Sequence, residues 1–483
     1  MIREIVVWRR RREPSPEGNV INLRIPFWVV KKGPANLCKM PLDKWKNAKK
    51  SRYILVFEVK IMKSSVLYLE IVRYIHYIIF SDYYIRRATK RQMDFTRNRK
   101  MSFTDYIFAI IKGTKTSLQS SIYTFFESQN KSQMEYSKQA FSKGRQRIKP
   151  EAFQELFFAV AERFYQKAET NTWRGYHLFG IDGTRLNLPC TQELKDIYGD
   201  QSSQGAPQVQ ALVSCLYDLL NGMIVDTRFC GCKSSERNAA KEMIEAFNAE
   251  KYGEPVFIMD RGYPSAELID TVIKAGYKFV MRCPKEFLRS MKLPKRDNIF
   301  EHKFAKLKEK VKIRVVKIGL VSGETEYLAT NLFDSDLTED SFRDLYHIRW
   351  GIETKYNDIK NKLEIENFTG YSPDAILQDF YATVFLANLA GVLEFELHEE
   401  IEAAHNKPEN KYEYKMNRNR TISELKRTVI EMIATRSKIK RMRLFLEMKN
   451  RLYKAVVPVR PNRASPRVRK HKASKFSQNI KRP

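Results

Sequence analysis

The chain has 483 residues, with 87 Lys and Arg against 56 Asp and Glu, and a formal net charge of +31. Hydrophobic residues make up 43% of it, enough to pack several cores, which excludes a disordered protein. The excess of positive charge favours a polyanionic partner, nucleic acid above all, although a ribosome-associated protein or a membrane surface would also attract it. Six cysteines without paired metal-ligand spacing favour free thiols in a reducing compartment over a zinc site.

No membrane segment is predicted. The apolar run 66–80 is interrupted by Glu70, Arg73 and His76, which makes it a poor transmembrane span. The basic run Arg9–Arg12 is not followed by the apolar core of a signal peptide. We therefore expect a cytoplasmic protein without a membrane partner.

The first third of the chain divides into two parts. Residues 1–94 carry no pattern that predicts a function, and we interpret them as an N-terminal extension of uncertain role. Residues 95–170 show short helical segments separated by tight breaks, which is compatible with a helical DNA-binding region. An ordinary helical bundle with a solvated basic face fits the same pattern. The basic side chains expected to face DNA phosphates are Lys138, Lys143, Arg145 and Arg147.

The first candidate acid follows an aromatic and β-branched strand. Tyr176–Ile181 is predicted to be that strand, and Asp182-Gly183 is a turn or bulge signal at its end. Two further strands are predicted on either side of Asn221-Gly222, a strong hairpin signal. Taken alone, Asp182 is better explained as an ordinary turn residue.

The second candidate acid lies at the end of a later strand. Ser234 or Ser235 is predicted to cap a helix that begins with Glu236, and the buried strand 256–259 then ends at Asp260. Another helix and strand follow, so the predicted order is β-β-β-α-β-α-β. Right-handed crossovers would lay the Asp260 strand parallel to the Asp182 strand, with the two carboxylates at neighbouring ends. A local ion pair of Asp260 with Arg261 is the simpler alternative.

The third candidate acid is on a predicted helix. A helix turns about 100° per residue, so Arg349, Glu353 and Lys360 fall about 60°, 20° and 40° to one side of Tyr346. These four side chains would share one narrow stripe. A solvated charged face would look the same. A stripe with an aromatic ring, a carboxylate and two cations is also what a nucleic-acid phosphate and its metal ion would need.

Tyr346, Arg349, Glu353 and Lys360 have the spacing Tyr-x2-Arg-x3-Glu-x6-Lys. Two further motifs precede them, Gly-Ile-Asp-Gly-Thr at 180–184 and Asp-Arg-Gly-Tyr at 260–263. Together the three motifs resemble those of the bacterial DDE transposases of the insertion-sequence-four family. The resemblance covers about residues 95–430.

The resemblance implies an α/β fold with a ribonuclease-H-like catalytic core and a β-rich insertion before the glutamate helix, preceded by a helical DNA-binding region. The core would comprise residues 171–283 and 334–400, and the insertion residues 284–333. A helical region at 401–453 and a basic disordered tail at 454–483 would complete the chain.

The resemblance also implies a site and a reaction. Asp182, Asp260 and Glu353 would be the catalytic residues and would hold two Mg²⁺ ions, with Mn²⁺ as a substitute and Asp182 bridging the pair. The protein would bind terminal inverted repeats and target DNA, act as a homodimer on that DNA, and lie at the nucleoid of a prokaryotic cell. The residues expected to contact DNA are Tyr346, Arg349, Lys360 and Arg261.

One departure from the family concerns tryptophan. Relatives can stack a flipped base on a tryptophan of the insertion, but no tryptophan lies between Trp173 and Trp350. Phe300, Phe304 or Tyr327 could stack a base instead, and Trp350 is expected to point into the core. Two alternatives to an active transposase remain: a DNA-binding descendant without catalytic activity, and a structure-selective nuclease of the same fold.

Overall fold

The structure is a computed structural model. It describes residues 3–14, 20–31, 66–113, 117–129, 133, 135–200, 208–320 and 323–460. The chain divides into two compact units, Met1–Ser65 and Val66–Pro483. In the first unit, β1 (Arg3–Pro14) pairs antiparallel with β2 (Val20–Lys31).

The second unit begins with a group of helices. Serine side chains cap several of them; Ser102, for example, accepts a hydrogen bond from the backbone N–H of Asp105. Tyr68 and Ile71 of the first helix are fully buried in this unit. Residues 66–94 of the predicted N-terminal extension therefore belong to the second unit, because the boundary between the two units lies at Ser65. The helices are α1 (Leu67–Ile79), α2 (Asp82–Ala88), α3 (Phe103–Lys112), α4 (Leu118–Ser128), α5 (Lys138–Arg145) and α6 (Glu151–Lys167).

A mixed eight-stranded sheet forms the centre of the second unit, in the order β5-β4-β3-β6-β7-β10-β9-β8. The pairs β3–β6 and β6–β7 are parallel and the other pairs are antiparallel. Its strands are β3 (His177–Asn187), β4 (Gln210–Asp218), β5 (Ile224–Gly231), β6 (Pro255–Met259), β7 (Lys278–Cys283), β8 (Asp297–His302), β9 (Val311–Gly319) and β10 (Thr325–Thr330). The intervening helices are α7 (Gln192–Tyr198), α8 (Glu236–Glu245), α9 (Ala249–Tyr252) and α10 (Ala266–Lys274).

The order of the strands and of helices α8 and α10 follows the predicted β-β-β-α-β-α-β pattern, but the short helices α7, between β3 and β4, and α9, before β6, were not predicted, and two further details differ. Strand β3 continues through Asp182-Gly183 to Asn187, because β4 pairs with it along its whole outer half. The predicted turn at Asp182 is therefore wrong. The predicted hairpin of β9 and β10 is present, and β10 also pairs with β7. The strands of residues 284–333 therefore extend the same sheet.

The remaining elements follow the sheet. The helix Pro373–His405 is long and apolar enough to cross a membrane, but 83% of its most apolar stretch is buried inside the protein. Such burial is typical of a core helix. The elements are α11 (Glu339–His347), α12 (Trp350–Asn357), a π-helical turn (Asp358–Lys362), α13 (Pro373–His405), β11 (Glu413–Met416), α14 (Arg418–Ala434), α15 (Lys438–Tyr453) and β12 (Val456–Val459).

The start of the predicted disordered tail is ordered. Val456–Val459 forms β12 and pairs antiparallel with β11. The prediction of disorder from residue 454 is therefore wrong at its beginning, since the backbone there has a strand partner. Residues 461–483 of the predicted tail lie outside the described part of the chain.

Candidate active site

Two of the predicted acids lie side by side on adjacent parallel strands. The last pair between β3 and β6 joins Ile181 to Met259, and Asp182 and Asp260 are the next residues on their strands. Neighbouring strands are about 4.8 Å apart, so the two carboxylates leave the sheet close together. Asp182 lies in the middle of β3 and not at its end. The predicted proximity still holds, because β6 ends there.

The carboxylate of Asp182 is electrostatically unfavourable. Its pKa is raised from 3.8 to about 6, mainly by burial. A hydrogen bond from the Gly183 N–H and the charge of Arg349 lower the pKa, whereas the charges of Glu236 and Asp260 raise it. Burial and like charges disfavour the ionised form of an acid. The site therefore holds negative charge that the surrounding side chains compensate only in part.

The segment that carries the third acid is not one regular helix. Between α11 and α12 the backbone tightens: the N–H of Arg349 bonds to the oxygen of Tyr346 and that of Ile352 to the oxygen of Arg349, each at 3.1 Å. After α12 it widens into a π-helical turn, where the Leu363 N–H bonds to the oxygen of Asp358 at 2.8 Å. Both changes alter the rotation per residue. The single uniform stripe predicted for Tyr346–Lys360 is therefore wrong.

The two short helices nevertheless bring the motif to the acids. The Tyr346 hydroxyl donates a hydrogen bond to Oδ1 of Asp260 at 3.1 Å, and Nη2 of Arg349 donates one to Oε1 of Glu353 at 2.6 Å. Arg349 is 4% exposed, its guanidinium lies 5.7 Å from the centre of the Tyr346 ring, and its charge acts on Asp182, Asp260 and Glu353. The charge of one buried guanidinium thus acts on all three predicted acids, and one of them, Glu353, is hydrogen-bonded to it.

Helix α12 lies directly against β3. The hydroxyl of Tyr356 donates a hydrogen bond to the backbone oxygen of Asp182 at 2.6 Å. At Gly180 a Cβ atom would lie 3.2 Å from Leu219 and 3.5 Å from Ile352 of α12. A residue without a side chain allows this close approach, which fixes Glu353 relative to Asp182.

The remaining predicted DNA contacts lie around these acids. Nζ of Lys360 donates a hydrogen bond to the backbone oxygen of Arg185 at 2.7 Å, three residues beyond Asp182 on β3, and burial lowers the pKa of this lysine. Arg261 follows Asp260 directly and is exposed. Contact of these side chains with DNA stays a prediction.

The structure contradicts the expected role of Arg145. This side chain is 2% exposed, and its Nη2 lies 2.8 Å from Oδ1 of Asp379 on α13. It also donates hydrogen bonds to Gln378 and Thr369. Arg145 therefore joins α5 to α13 in the core and is not available to DNA. Lys138 and Lys143 are exposed, and Arg147 is half-buried near Asp94.

The aromatic predictions also change. Trp350 was expected in the core but is 57% exposed at the start of α12. Phe304, one of the residues considered for base stacking, is buried against His302, with ring centres 4.5 Å apart. Phe300 and Tyr327 are half-buried.

Two residues at this site were not identified from the sequence. Glu236, in the first turn of α8, was interpreted only as the start of a helix, although its charge acts on Asp182. Tyr263 belongs to the Asp-Arg-Gly-Tyr motif, and its buried hydroxyl is close enough to Asp182, Glu236 and Asp260 for their charges to act on it. An acidic residue at the N-terminus of the helix that follows the third strand was the available signal for Glu236.

The donor atoms fit a divalent cation, although their arrangement is open. Carboxylate oxygens are the ligands that Mg²⁺ and Mn²⁺ prefer, and Asp182 carries buried charge that a cation would neutralise. Within the described residues, no three His, Cys, Asp or Glu side chains are close enough to hold one ion together. Glu353 is bonded to Arg349, so we expect its carboxylate to turn away from Arg349 when an ion binds.

Comparisons with known proteins bear on the same region. Residues 173–389, which include Asp182, Asp260 and Glu353, match the family described as "Transposase DDE domain". The chain is 25% identical over 267 residues to the Escherichia coli (strain K12) "Transposase InsG for insertion sequence element IS4". That alignment covers 52% of this chain and 59% of the relative, so the similarity spans little more than half of either protein.

A solved structure is also similar, the "Cryo-EM structure of piggyBac transposase synaptic complex with hairpin DNA (SNHP)". The two chains are 11% identical, and the superposition covers 78% of this chain and 84% of the piggyBac chain with a TM-score of 0.40. A score this low carries no conclusion about this chain.

Proposed function

We propose that the chain is a DDE transposase of the insertion-sequence-four family, as its match over residues 173–389 and its similarity to the IS4 transposase support, and that it cuts and joins DNA at the ends of an insertion sequence. The observation that supports this proposal best is the hydrogen bond between the buried guanidinium of Arg349 and Glu353, together with the action of the Arg349 charge on Asp182 and Asp260. An ordinary surface cluster of acids would be exposed and dispersed, and would not need a buried arginine between its members.

The domain organisation proposed for this function follows the sheet. Residues 171–283 and 334–400 form a ribonuclease-H-like catalytic core, and residues 284–333 form the β-rich insertion that extends its sheet. The parallel pair β3–β6 carries two acids, and α12 carries the third. The helical region 95–170 binds DNA, through the exposed Lys138 and Lys143 among others. Residues 401–453 form the C-terminal helical region.

Each residue of the site has a role. Asp182, Asp260 and Glu353 would hold two Mg²⁺ ions, for which Mn²⁺ could substitute. When bound, such ions activate an attacking oxygen and stabilise the leaving oxygen of a phosphodiester. Tyr346 orients Asp260, and Arg349 holds Glu353 until an ion binds and supplies positive charge beside the acids. Lys360 and Arg261 neutralise the neighbouring phosphates.

The proposed substrates are the terminal inverted repeats of the element and a target DNA. Cleavage at the element end frees a 3′-hydroxyl, which attacks the opposite strand to give a hairpin. The hairpin is then hydrolysed, and the 3′-hydroxyl joins the target. Two element ends need two active sites, so the protein acts as a homodimer on DNA, at the nucleoid in the prokaryotic cytoplasm.

The test is cleavage of a labelled duplex that carries the element's own end, in Mg²⁺, by wild-type protein and by Glu353→Gln. Cleavage at the element boundary by wild type alone, with a hairpin product, is expected. Binding without cleavage by either protein would indicate a descendant without catalytic activity. Cleavage of branched DNA without end joining would indicate a structure-selective nuclease. Equal cleavage by both proteins would exclude Glu353 from the site.

A further inference from the structure

A dense run of positive charge lies at the start of α15, far along the chain from the catalytic motifs. Residues 436–443 contain five Lys and Arg and no Asp or Glu. The run lies beyond the family match, which ends at residue 389, and it is not part of the helical region 95–170. Neither the acidic site nor that helical region therefore accounts for it. The five cations are Arg436, Lys438, Lys440, Arg441 and Arg443.

Most of these cations have no acidic partner. Lys440 pairs with Glu431 at 2.9 Å. Arg441 is 4% exposed and donates hydrogen bonds to backbone oxygens at the end of α14. The other three are exposed and form no ion pair with any described residue: Arg436, Lys438 and Arg443. Their charge is therefore available to a partner.

Hydrogen bonds from two helices fix the turn between α14 and α15, which carries Arg436. Nδ1 of His76 on α1 donates a hydrogen bond to the backbone oxygen of Ile433 at 2.6 Å. Nε of Arg441 on α15 donates one to the backbone oxygen of Met432 at 2.9 Å. A turn that is already ordered costs less entropy when its side chains bind a partner.

Helix α1 adds a cation and an aromatic ring beside this turn. Arg73 and Tyr77 are four positions apart and so lie on the same face of the helix. Tyr77 is 62% exposed, and its ring centre is 5.5 Å from that of His76, the residue that bonds to the end of α14. Arg73 is half-buried and forms no ion pair with a described residue. Exposed cations and an exposed tyrosine thus come from both sides of the contact.

The positive charge is unfavourable for α15 itself. Acidic residues stabilise the first turn of a helix and cations destabilise it, because the helix N-terminus carries partial positive charge. The first turn of α15 has no acidic residue and begins with Lys438. Charge that weakens its own helix and lacks an acidic partner within the described chain favours an anionic ligand.

We propose that Arg73, Tyr77, Arg436 and Lys438 form a surface that binds the phosphate backbone of double-stranded DNA, separate from the acidic site. The inference rests on the proposed function, which makes DNA the polyanion that the protein meets. Arginine and lysine pair with phosphate oxygens, and a tyrosine hydroxyl can donate a hydrogen bond to them. Such contacts position DNA without reading its bases, so the surface accepts duplexes of any sequence.

The test is the affinity of the full-length protein for a labelled duplex of arbitrary sequence, measured by fluorescence anisotropy at several salt concentrations. Arg436→Ala/Lys438→Ala is compared with wild type and with Lys411→Ala/Lys415→Ala. The control pair removes the same charge from exposed positions of the same C-terminal region.

The Arg436→Ala/Lys438→Ala variant should bind about tenfold or more weakly at about 0.1 M salt. Its slope of log affinity against log salt concentration should fall by about 2, because each phosphate contact contributes about 0.9. The control should bind as the wild type does. Wild-type binding by Arg436→Ala/Lys438→Ala would overturn the proposal. An equal loss in both variants would also overturn it, since net charge alone would then explain the effect.

Lys438→Glu separates DNA binding from folding. An acidic residue in the first turn of α15 should stabilise the helix, so this variant should unfold at a higher urea concentration than the wild type. It should nevertheless bind the duplex more weakly, because the carboxylate repels phosphate. Weaker binding together with lower stability would assign the loss to the fold and contradict the proposal.

Tyr77→Ala tests the contribution of α1. It should weaken duplex binding by roughly three- to tenfold, the effect of one lost hydrogen bond to a charged group. Tyr83→Ala, at a tyrosine of α2 that is 66% exposed, is the matched control and should bind as the wild type does. Unchanged binding by Tyr77→Ala would refute a surface that includes α1.

The binding and cleavage experiments fail independently. A wild type that binds the duplex through Arg436 and Lys438 but does not cut the element end would retain the surface and refute the transposase activity. A wild type that cuts the element end, and whose duplex binding is unchanged in Arg436→Ala/Lys438→Ala, would retain the activity and refute the surface.

Discussion

The hydroxyl of Tyr346 donates a hydrogen bond to Oδ1 of Asp260 at 3.1 Å, across 86 positions of the chain. The contact joins the helix before the motif glutamate to the strand end that carries the second acid. Tyr346 is 6% exposed, so the bond is largely shielded from water. A hydrogen bond of this kind both stabilises the fold and fixes the orientation of the carboxylate.

Tyr346→Phe removes this bond and keeps the ring. Because the acceptor is a carboxylate in a largely buried position, we expect a loss of about 1–3 kcal/mol in the free energy of unfolding. Urea denaturation at neutral pH measures it. Tyr123→Phe, at a tyrosine that is 50% exposed, is the matched control and should change stability little. Equal stability of Tyr346→Phe and wild type would show that the bond is absent in solution.

Asp182→Asn should stabilise the protein when no metal ion is present. The folded-state pKa of Asp182 is about 6, above the unfolded value of about 3.9. The contribution of such a group to stability is complete below the unfolded pKa and is lost as the pH rises through the folded pKa. Asparagine carries no charge at any of these pH values. The free energy of unfolding of Asp182→Asn should therefore exceed that of the wild type by about 1–3 kcal/mol above pH ~7, and this difference should shrink towards pH ~4.

The measurement for Asp182→Asn is chemical denaturation in a chelating buffer at a series of pH values. The burial and repulsion of the Asp182 carboxylate would be contradicted if the wild type were the more stable protein at pH ~8. A stability difference between the two proteins that does not depend on pH would contradict them as well. Addition of Mg²⁺ should reduce the difference, because it stabilises the wild type by binding to its folded state.

Gly180→Ala tests the close approach of α12 to β3. The added methyl group would meet Leu219 at 3.2 Å and Ile352 at 3.5 Å, so the helix or the side chains must move. We expect destabilisation by about 1–3 kcal/mol, together with weaker cleavage because Glu353 shifts. Gly319→Ala, where a Cβ atom meets nothing within 4 Å, is the control. Thermal unfolding of both variants checks the expectation, and identical melting temperatures would refute it.

Arg145→Ala separates a structural arginine from a DNA-binding one. It leaves Asp379 buried without its cation, which typically costs about 3–5 kcal/mol. Lys143→Ala, on the exposed side of α5, should leave stability unchanged and reduce the salt dependence of DNA binding. Urea denaturation and binding at several salt concentrations measure the two effects. A stable Arg145→Ala protein with weakened DNA binding would reverse the assignment.

The sequence predicted the parts of the fold that depend on local chemistry and chain order. The family resemblance found at Tyr346, Arg349 and Glu353 is confirmed by the match of residues 173–389. The hairpin at Asn221-Gly222 and the parallel placement of the strands that carry Asp182 and Asp260 are present as predicted. Turn residues and crossover handedness determine these features without reference to distant contacts.

The errors arose where distant contacts override local preference. Asp-Gly is a turn signal, yet at Asp182 the pairing with β4 holds the chain extended. Arg145 belongs to a basic helix, but Asp379, more than two hundred residues later, draws it into the core. The prediction that Trp350 points into the core assumed one uniform helix. The tightened turn before α12 changes the direction of that side chain, which is exposed. Neither tertiary pairing nor a local change of helix type is encoded in residue spacing.

The most direct measurement of the central claim is DNA cleavage by Asp182→Cys in Mg²⁺ and in Mn²⁺. A thiolate is a soft ligand that holds Mg²⁺ poorly and Mn²⁺ better, whereas a carboxylate serves both ions. If Asp182 holds the catalytic cations, the variant should lose cleavage of the element end in Mg²⁺ and recover it in Mn²⁺. Cleavage in Mg²⁺ equal to that of the wild type would contradict the account, because Asp182 would then lie outside the reacting site.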